Sequence, residues 1–261
     1  MLKTRLLTAA IALPVALVAI IFAPDWFFTL FIAALGLIGL YEVGAMTSAL
    51  SFRGISILLF LGALPMFAFL IGGQPGAWLP AAIIVLMLIL IARVAIEGTE
   101  KPIERGAVTA IGAPYIGVLY PYFAFLRNRS GGVELISVML LLVIVSDSGA
   151  YFAGRSLGRK KLAPKVSPNK TVEGAIGGLA ATVVAGLILQ KFLELSWSAA
   201  GTALLSIVVS ILAQLGDLAG SALKRSAGVK DSGWIFPGHG GLIDRTCSLV
   251  FAAVFTYYWA K

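Results

Sequence analysis

Runs of apolar residues long enough to cross a lipid bilayer recur along this chain, and no other feature restricts its fold as much. Hydrocarbon offers backbone N–H and C=O groups no hydrogen-bond partner, so a lipid-exposed segment of about 20 apolar residues must satisfy itself as a helix. Nine such runs occur, at 6–23, 26–48, 55–73, 78–96, 106–126, 132–153, 174–192, 196–223 and 245–260. Several are separated only by short turns such as Gly72-Gly-Gln-Pro-Gly76, whose residues break helices. Composition agrees: 59% of the 261 residues are hydrophobic and 12% charged, where a soluble domain has about a quarter charged. The pattern predicts an all-α, polytopic membrane protein of about nine transmembrane helices. Residues 1–130 hold the N-terminal spans, and 131–261 form a C-terminal region in which polar motifs collect, the two making one integral membrane unit. Lys3, Arg5 and the run from Leu6 to Phe22 resemble a secretory signal, but a second span follows almost at once, so the run is read as a retained first helix.

The net charge of +8 would suit a nucleic-acid partner, but the basic residues lie between apolar spans, where topology signals and anionic-lipid contacts place them. No nucleic acid is therefore expected. With a cytoplasmic N-terminus, sixteen lysines and arginines fall on the cytoplasmic side, against Arg127, Arg129, Lys191 and Lys261 on the other. This is the positive-inside asymmetry, and one missed span would spoil it. The single cysteine, Cys247, excludes an intramolecular disulfide and a cysteine-based zinc cluster.

Two longer polar stretches, 146–174 and 214–247, are both placed on the cytoplasmic side. Asp147 lies near the end of the sixth span and Asp217 inside the eighth. A carboxylate at bilayer depth costs roughly 2.5–3.5 kcal/mol on insertion scales, so each needs a partner, a metal or a water-filled cavity. A structural ion pair remains the plain alternative. Ser221, Lys224 and Arg225 follow Asp217 by four, seven and eight residues, which puts them on its helical face. Gln214 precedes Asp217 on the same side. Such a stripe suits a cation at the carboxylate with phosphate oxygens reaching the basic residues; a solvated helix end is the alternative for Lys224 and Arg225. Pro237-Gly-His-Gly-Gly241 allows backbone amides to approach an anion, but it is not a Walker loop. The sole histidine, His239, sits between its glycines and is read as catalytic or phosphate-binding. Residues 155–170 carry six basic side chains, suited to topology, to anionic lipid, or to both.

At these residues the chain resembles a known family. Ser221-Ala-Leu-Lys-Arg225, Lys230-Asp231 and Pro237-Gly-His-Gly-Gly-Leu-Ile-Asp-Arg245 are similar to the signature of phosphatidate cytidylyltransferases, or CDP-diacylglycerol synthases. Asp147-Ser-Gly-Ala-Tyr151, Lys165-Val-Ser-Pro168 (with Ser167), Lys170-Thr171, Glu173-Gly174 and Gly216-Asp217 resemble the family's other landmarks. The resemblance covers roughly 140–250 by motif. It implies a catalytic C-terminal region that transfers CMP from CTP to phosphatidic acid, releasing pyrophosphate. It further implies a bacterial inner (plasma) membrane location, lipid partners, a homodimer, and magnesium, with a monovalent cation such as K+ as a companion. By motif, Asp217 and Asp244 are the leading metal candidates, with Asp147 and Asp231 completing the acidic set. Lys224, Arg225, Lys230, His239 and Arg245 would face phosphates, and Lys165, Ser167, Lys170, Ser221, Gly240 and Gly241 would bind substrate.

Three positions depart from the family pattern. Asn169 and Val172 stand where Lys or Gly and Trp are usual. Cys247 stands where an acid is usual, three residues beyond Asp244 and on the same helical face. A thiol is a poor ligand for hard magnesium, so a catalytically impaired member is one alternative reading. A CTP-dependent polyprenol or lipid kinase, releasing CDP, is another, and a transporter is a third, since intramembrane acids also mark ion pathways.

Overall fold

The computed structural model describes residues 10, 14–46, 62–72, 76, 79–80, 83–84, 86–87, 90–91, 105–193, 197–236 and 240–259. Among the described residues the bounded elements are, in order, α1 (Asp25–Met46), α2 (Leu64–Gly72), α3 (Arg105–Leu119), α4 (Pro121–Arg127), α5 (Gly132–Leu157), β1 (Lys161–Ala163), β2 (Ser167–Thr171), α6 (Val172–Phe192), α7 (Ala199–Ser226) and α8 (Ile243–Trp259). Among the described residues, α1, α5, α6 and α7 are long and apolar enough to cross a membrane. Within the first predicted span, residues 14–22 are helical. The spans at 55–73 and 78–96 fall largely outside the described residues. The span at 106–126 is divided, because α3 ends at Leu119 and α4 begins at Pro121, whose ring removes the N–H that would continue the ladder. The last predicted span corresponds to the 17-residue α8, which is not among those four.

The basic stretch after α5 is not helical. It folds into an antiparallel hairpin pairing Lys161 with Thr171 and Ala163 with Ser167. The buried Ala163 and Val166 fasten it to the protein. Two acceptors fix its ends: the Glu173 carboxylate takes the backbone N–H groups of Arg159 and Lys160 at 3.0 and 3.2 Å, and the Lys160 carbonyl takes that of Val172 at 2.9 Å. Thr171 then caps α6, its hydroxyl accepting from Gly174 N at 3.1 Å; such an N-cap satisfies a helix donor that has no intrahelical partner.

Helices α5, α6, α7 and α8 pack together. In lipid, such packing depends on close approach and interhelical hydrogen bonds rather than on apolar burial. Ser146 of α5 meets Ser210 of α7 at 2.7 Å in the buried interior. Gln214, one turn further along α7, donates to Ser210 Oγ at 3.3 Å and to the Ala175 carbonyl of α6 at 3.1 Å. Where α7 crosses α8, a Cβ at Gly216 would lie 2.2 Å from the Cys247 carbonyl oxygen, so only glycine permits the crossing. At the other end of the bundle, Arg127 pairs with Asp25 and donates Nε to the Ile20 carbonyl at 3.0 Å. Tyr122, Phe125, Tyr257 and Tyr258 stack edge-on beside it.

Candidate active site

Helices α5, α7 and α8 and strand β2 converge on a cavity of about 610 Å³. Helix α5 contributes Asp147, Tyr151 and Arg155, and β2 contributes Asn169 and Lys170. Gln214 and Asp217 come from α7, and Asp244, Arg245, Cys247 and Ser248 from α8. The hairpin carries Lys170 back over α7, where Nζ pairs with Asp217 Oδ2 at 2.7 Å. Cys247 is buried, and its sulfur lies 3.7 Å from Asp217 Oδ1. Three acids and three bases thus line one cleft, with Arg155 and Arg245 both exposed.

Asp244 is held more tightly than Asp217. Its Oδ1 receives the Lys224 ammonium, and the pair is largely shielded from solvent. Its Oδ2 accepts the backbone N–H groups of Ser232 and Gly241, each at 2.9 Å, and the Ser232 hydroxyl at 3.1 Å. Behind it lies Glu42 of α1, 1% exposed, which accepts from Leu242 N at 2.6 Å, Ile243 N at 3.0 Å and Ser232 Oγ at 2.8 Å.

The predicted site residues therefore divide. Asp147, Lys170, Asp217, Asp244 and Arg245 all line the cavity, whereas Lys224 lies behind Asp244 and Ser221 does not line the cavity. Arg225 turns to the end of its own helix, donating to the Val229 carbonyl at 2.8 Å. Lys165 is exposed on the turn between the strands and Ser167 opens β2. Lys230 and Asp231 are exposed on the loop after α7. Gly240 (φ +82°) and Gly241 begin the approach to α8, with the Gly241 amide committed to Asp244. His239 lies outside the described residues. The residue missed from sequence is Glu42. A lone acid in an apolar run was the available signal, since the same reasoning singled out Asp147 and Asp217.

Among the described residues, no three of His, Cys, Asp and Glu are grouped closely enough to hold a metal unaided. The donor set nevertheless fits magnesium in one respect. Asp147 and Asp217 place hard carboxylate oxygens, with the Gln214 side chain, on one cavity, and magnesium is commonly held by one or two carboxylates completed by water and substrate phosphates. Asp244 joins such a set only by giving up Lys224.

The comparisons with known proteins agree across nearly the whole chain. Residues 3–261 match the profile of the Cytidylyltransferase family. A protein of Bacillus subtilis named phosphatidate cytidylyltransferase is 36% identical, covering 98% of this chain and 96% of its own. Proteins of the same name from Staphylococcus epidermidis and Staphylococcus aureus are 35% and 32% identical, each alignment covering 95% of both chains. The chain belongs to the cytidylyltransferase family.

Proposed function

We propose that this membrane enzyme is a phosphatidate cytidylyltransferase, making CDP-diacylglycerol from CTP and phosphatidic acid. The observation that carries the reading is the cavity that sets Asp147, Asp217 and Asp244 against Lys170, Arg155 and Arg245. That balance suits two polyanionic substrates, and the matched relatives bear the same activity in their names. The orientation proposed from the charge asymmetry puts the cavity at the cytoplasmic face of a bacterial inner membrane. A lipid headgroup would enter there sideways and CTP from water. A homodimer, implied by the family resemblance, is part of the same proposal.

The chemistry demands alignment more than a base. A phosphatidate phosphate oxygen, already anionic at neutral pH, forms a bond to the α-phosphorus of CTP. The bond from that phosphorus to the oxygen bridging the β-phosphate breaks, and pyrophosphate leaves with the electron pair. Asp147 and Asp217 would hold magnesium, which when bound supplies charge neutralisation at the phosphates. Lys170, Arg155 and Arg245 bind and orient the phosphates, lowering the repulsion between like-charged reactants. Lys170 exchanges Asp217 for a phosphate oxygen as CTP enters. Asp244 holds Lys224 in reserve at the back of the site.

The test is an assay of the detergent-solubilised protein with labelled CTP and phosphatidic acid. CDP-diacylglycerol and pyrophosphate should form in equal amounts with magnesium. CDP in place of pyrophosphate would make the chain a lipid kinase.

A further inference from the structure

We propose that Glu42, a residue of the N-terminal half, is a positioning residue that sets the register of the active-site helix α8; the catalytic part of this inference rests on the function proposed above. Glu42 is an acid in the apolar helix α1, 1% exposed, and no described cation pairs with it. An acid at such depth is costly unless its oxygens are satisfied. Here its partners are the Leu242 and Ile243 N–H groups at the start of α8, where free amide donors and the positive end of the helix dipole meet a carboxylate favourably.

The contact reaches the site in two ways. Ser232 links the two acids: its single hydroxyl proton is shared between Glu42 Oε2 at 2.8 Å and Asp244 Oδ2 at 3.1 Å, and its backbone N–H donates to Asp244 Oδ2 at 2.9 Å, so Glu42 fixes the residue that fixes Asp244 and, through it, Lys224. The helix start that Glu42 caps also carries Arg245 and Cys247 into the cavity. The fit is close: a Cβ at Gly241 would lie 2.4 Å from both Glu42 oxygens. The carboxylate therefore sits against bare backbone, where one more carbon would push it away. Glu42 acts as a latch between α1 and α8 and does not line the cavity.

The sole cysteine, Cys247, sits one turn into α8 and is buried, giving a readout that needs no turnover. Glu42→Gln replaces one acceptor oxygen with an NH2 group that cannot accept from the α8 amides. The full-length protein in detergent should then show Cys247 labelled by a maleimide about tenfold faster, as the start of α8 opens locally. Its kcat for CDP-diacylglycerol formation should fall by roughly 10- to 100-fold, the usual cost of losing a support behind a reacting group, with KM for CTP changed less than about threefold. Glu42→Asp, which keeps the charge on a shorter stem, should recover part of both effects. Unchanged labelling in Glu42→Gln would overturn the latch. Faster labelling with full turnover would overturn its catalytic consequence. An inactive parent protein would fail the proposed function instead, while the labelling still decides the latch.

Discussion

Replacing Cys247 with aspartate should strengthen the protein's response to magnesium. The thiol lies 3.7 Å from Asp217 Oδ1, so Cys247→Asp sets a second carboxylate against the first. Two like charges about 4 Å apart repel by about 1 kcal/mol in water and about 4 kcal/mol at the effective dielectric of a protein surface. The Asp217 side chain is 39% exposed and already paired with Lys170, so the lower half of that range applies, ~2 kcal/mol. In a chelator the variant should be less stable than the parent by that amount. A divalent cation between the acids removes the penalty, so the same free energy returns as tighter binding, roughly thirtyfold. The assay is thermal unfolding in detergent across a magnesium titration, run beside turnover. The variant should melt lower in chelator, gain more on adding magnesium, and reach half-maximal activity at a magnesium concentration roughly thirtyfold lower. Equal melting in chelator with an equal magnesium response would refute both the proximity argument and the assignment of magnesium to Asp217.

Asp217→Asn should abolish magnesium-dependent formation of CDP-diacylglycerol while gel filtration still shows an intact protein; retained turnover would remove Asp217 from the mechanism. Lys170→Ala should lower kcat/KM for CTP by about tenfold or more, since a charge-assisted contact is worth about 1.5–3 kcal/mol; Lys170→Arg, judged by the same steady-state kinetics, should be partly active. Gly216→Ala should lower stability by about 1–3 kcal/mol through overpacking, because the new methyl would meet the Cys247 carbonyl at 2.2 Å; thermal unfolding measures it.

Legibility in the sequence followed the physics of each part. Helices α1, α5, α6 and α7 were visible because bilayer thickness sets a length that composition alone reveals. The division at Pro121 was signalled by the proline but hidden inside an apolar run. The hairpin was not legible: Ser167-Pro-Asn-Lys-Thr171 has little strand propensity, and it pairs because Glu173 and the Lys160 carbonyl secure its ends. The Asp217 stripe was correctly spaced along one helix, yet spacing cannot say which partner each residue meets. Lys224 went to Asp244 and Arg225 to a backbone carbonyl, while the base beside Asp217 came from the hairpin. Glu42 lies 190 residues from Ser232, and no local pattern joins them.

The α7–α8 crossing also limits how this site can vary over evolution. A Cβ at Gly220 would lie 2.7 Å from the Cys247 Cβ and 3.2 Å from its sulfur, so positions 220 and 247 share one volume. Residue 247 can exchange among compact side chains such as cysteine, serine and aspartate without moving the helices, and position 220 must stay bare for any of them to fit. Position 220 is therefore expected to stay glycine while position 247 varies, a pattern that a mutational library covering both positions and scored for membrane expression would read directly.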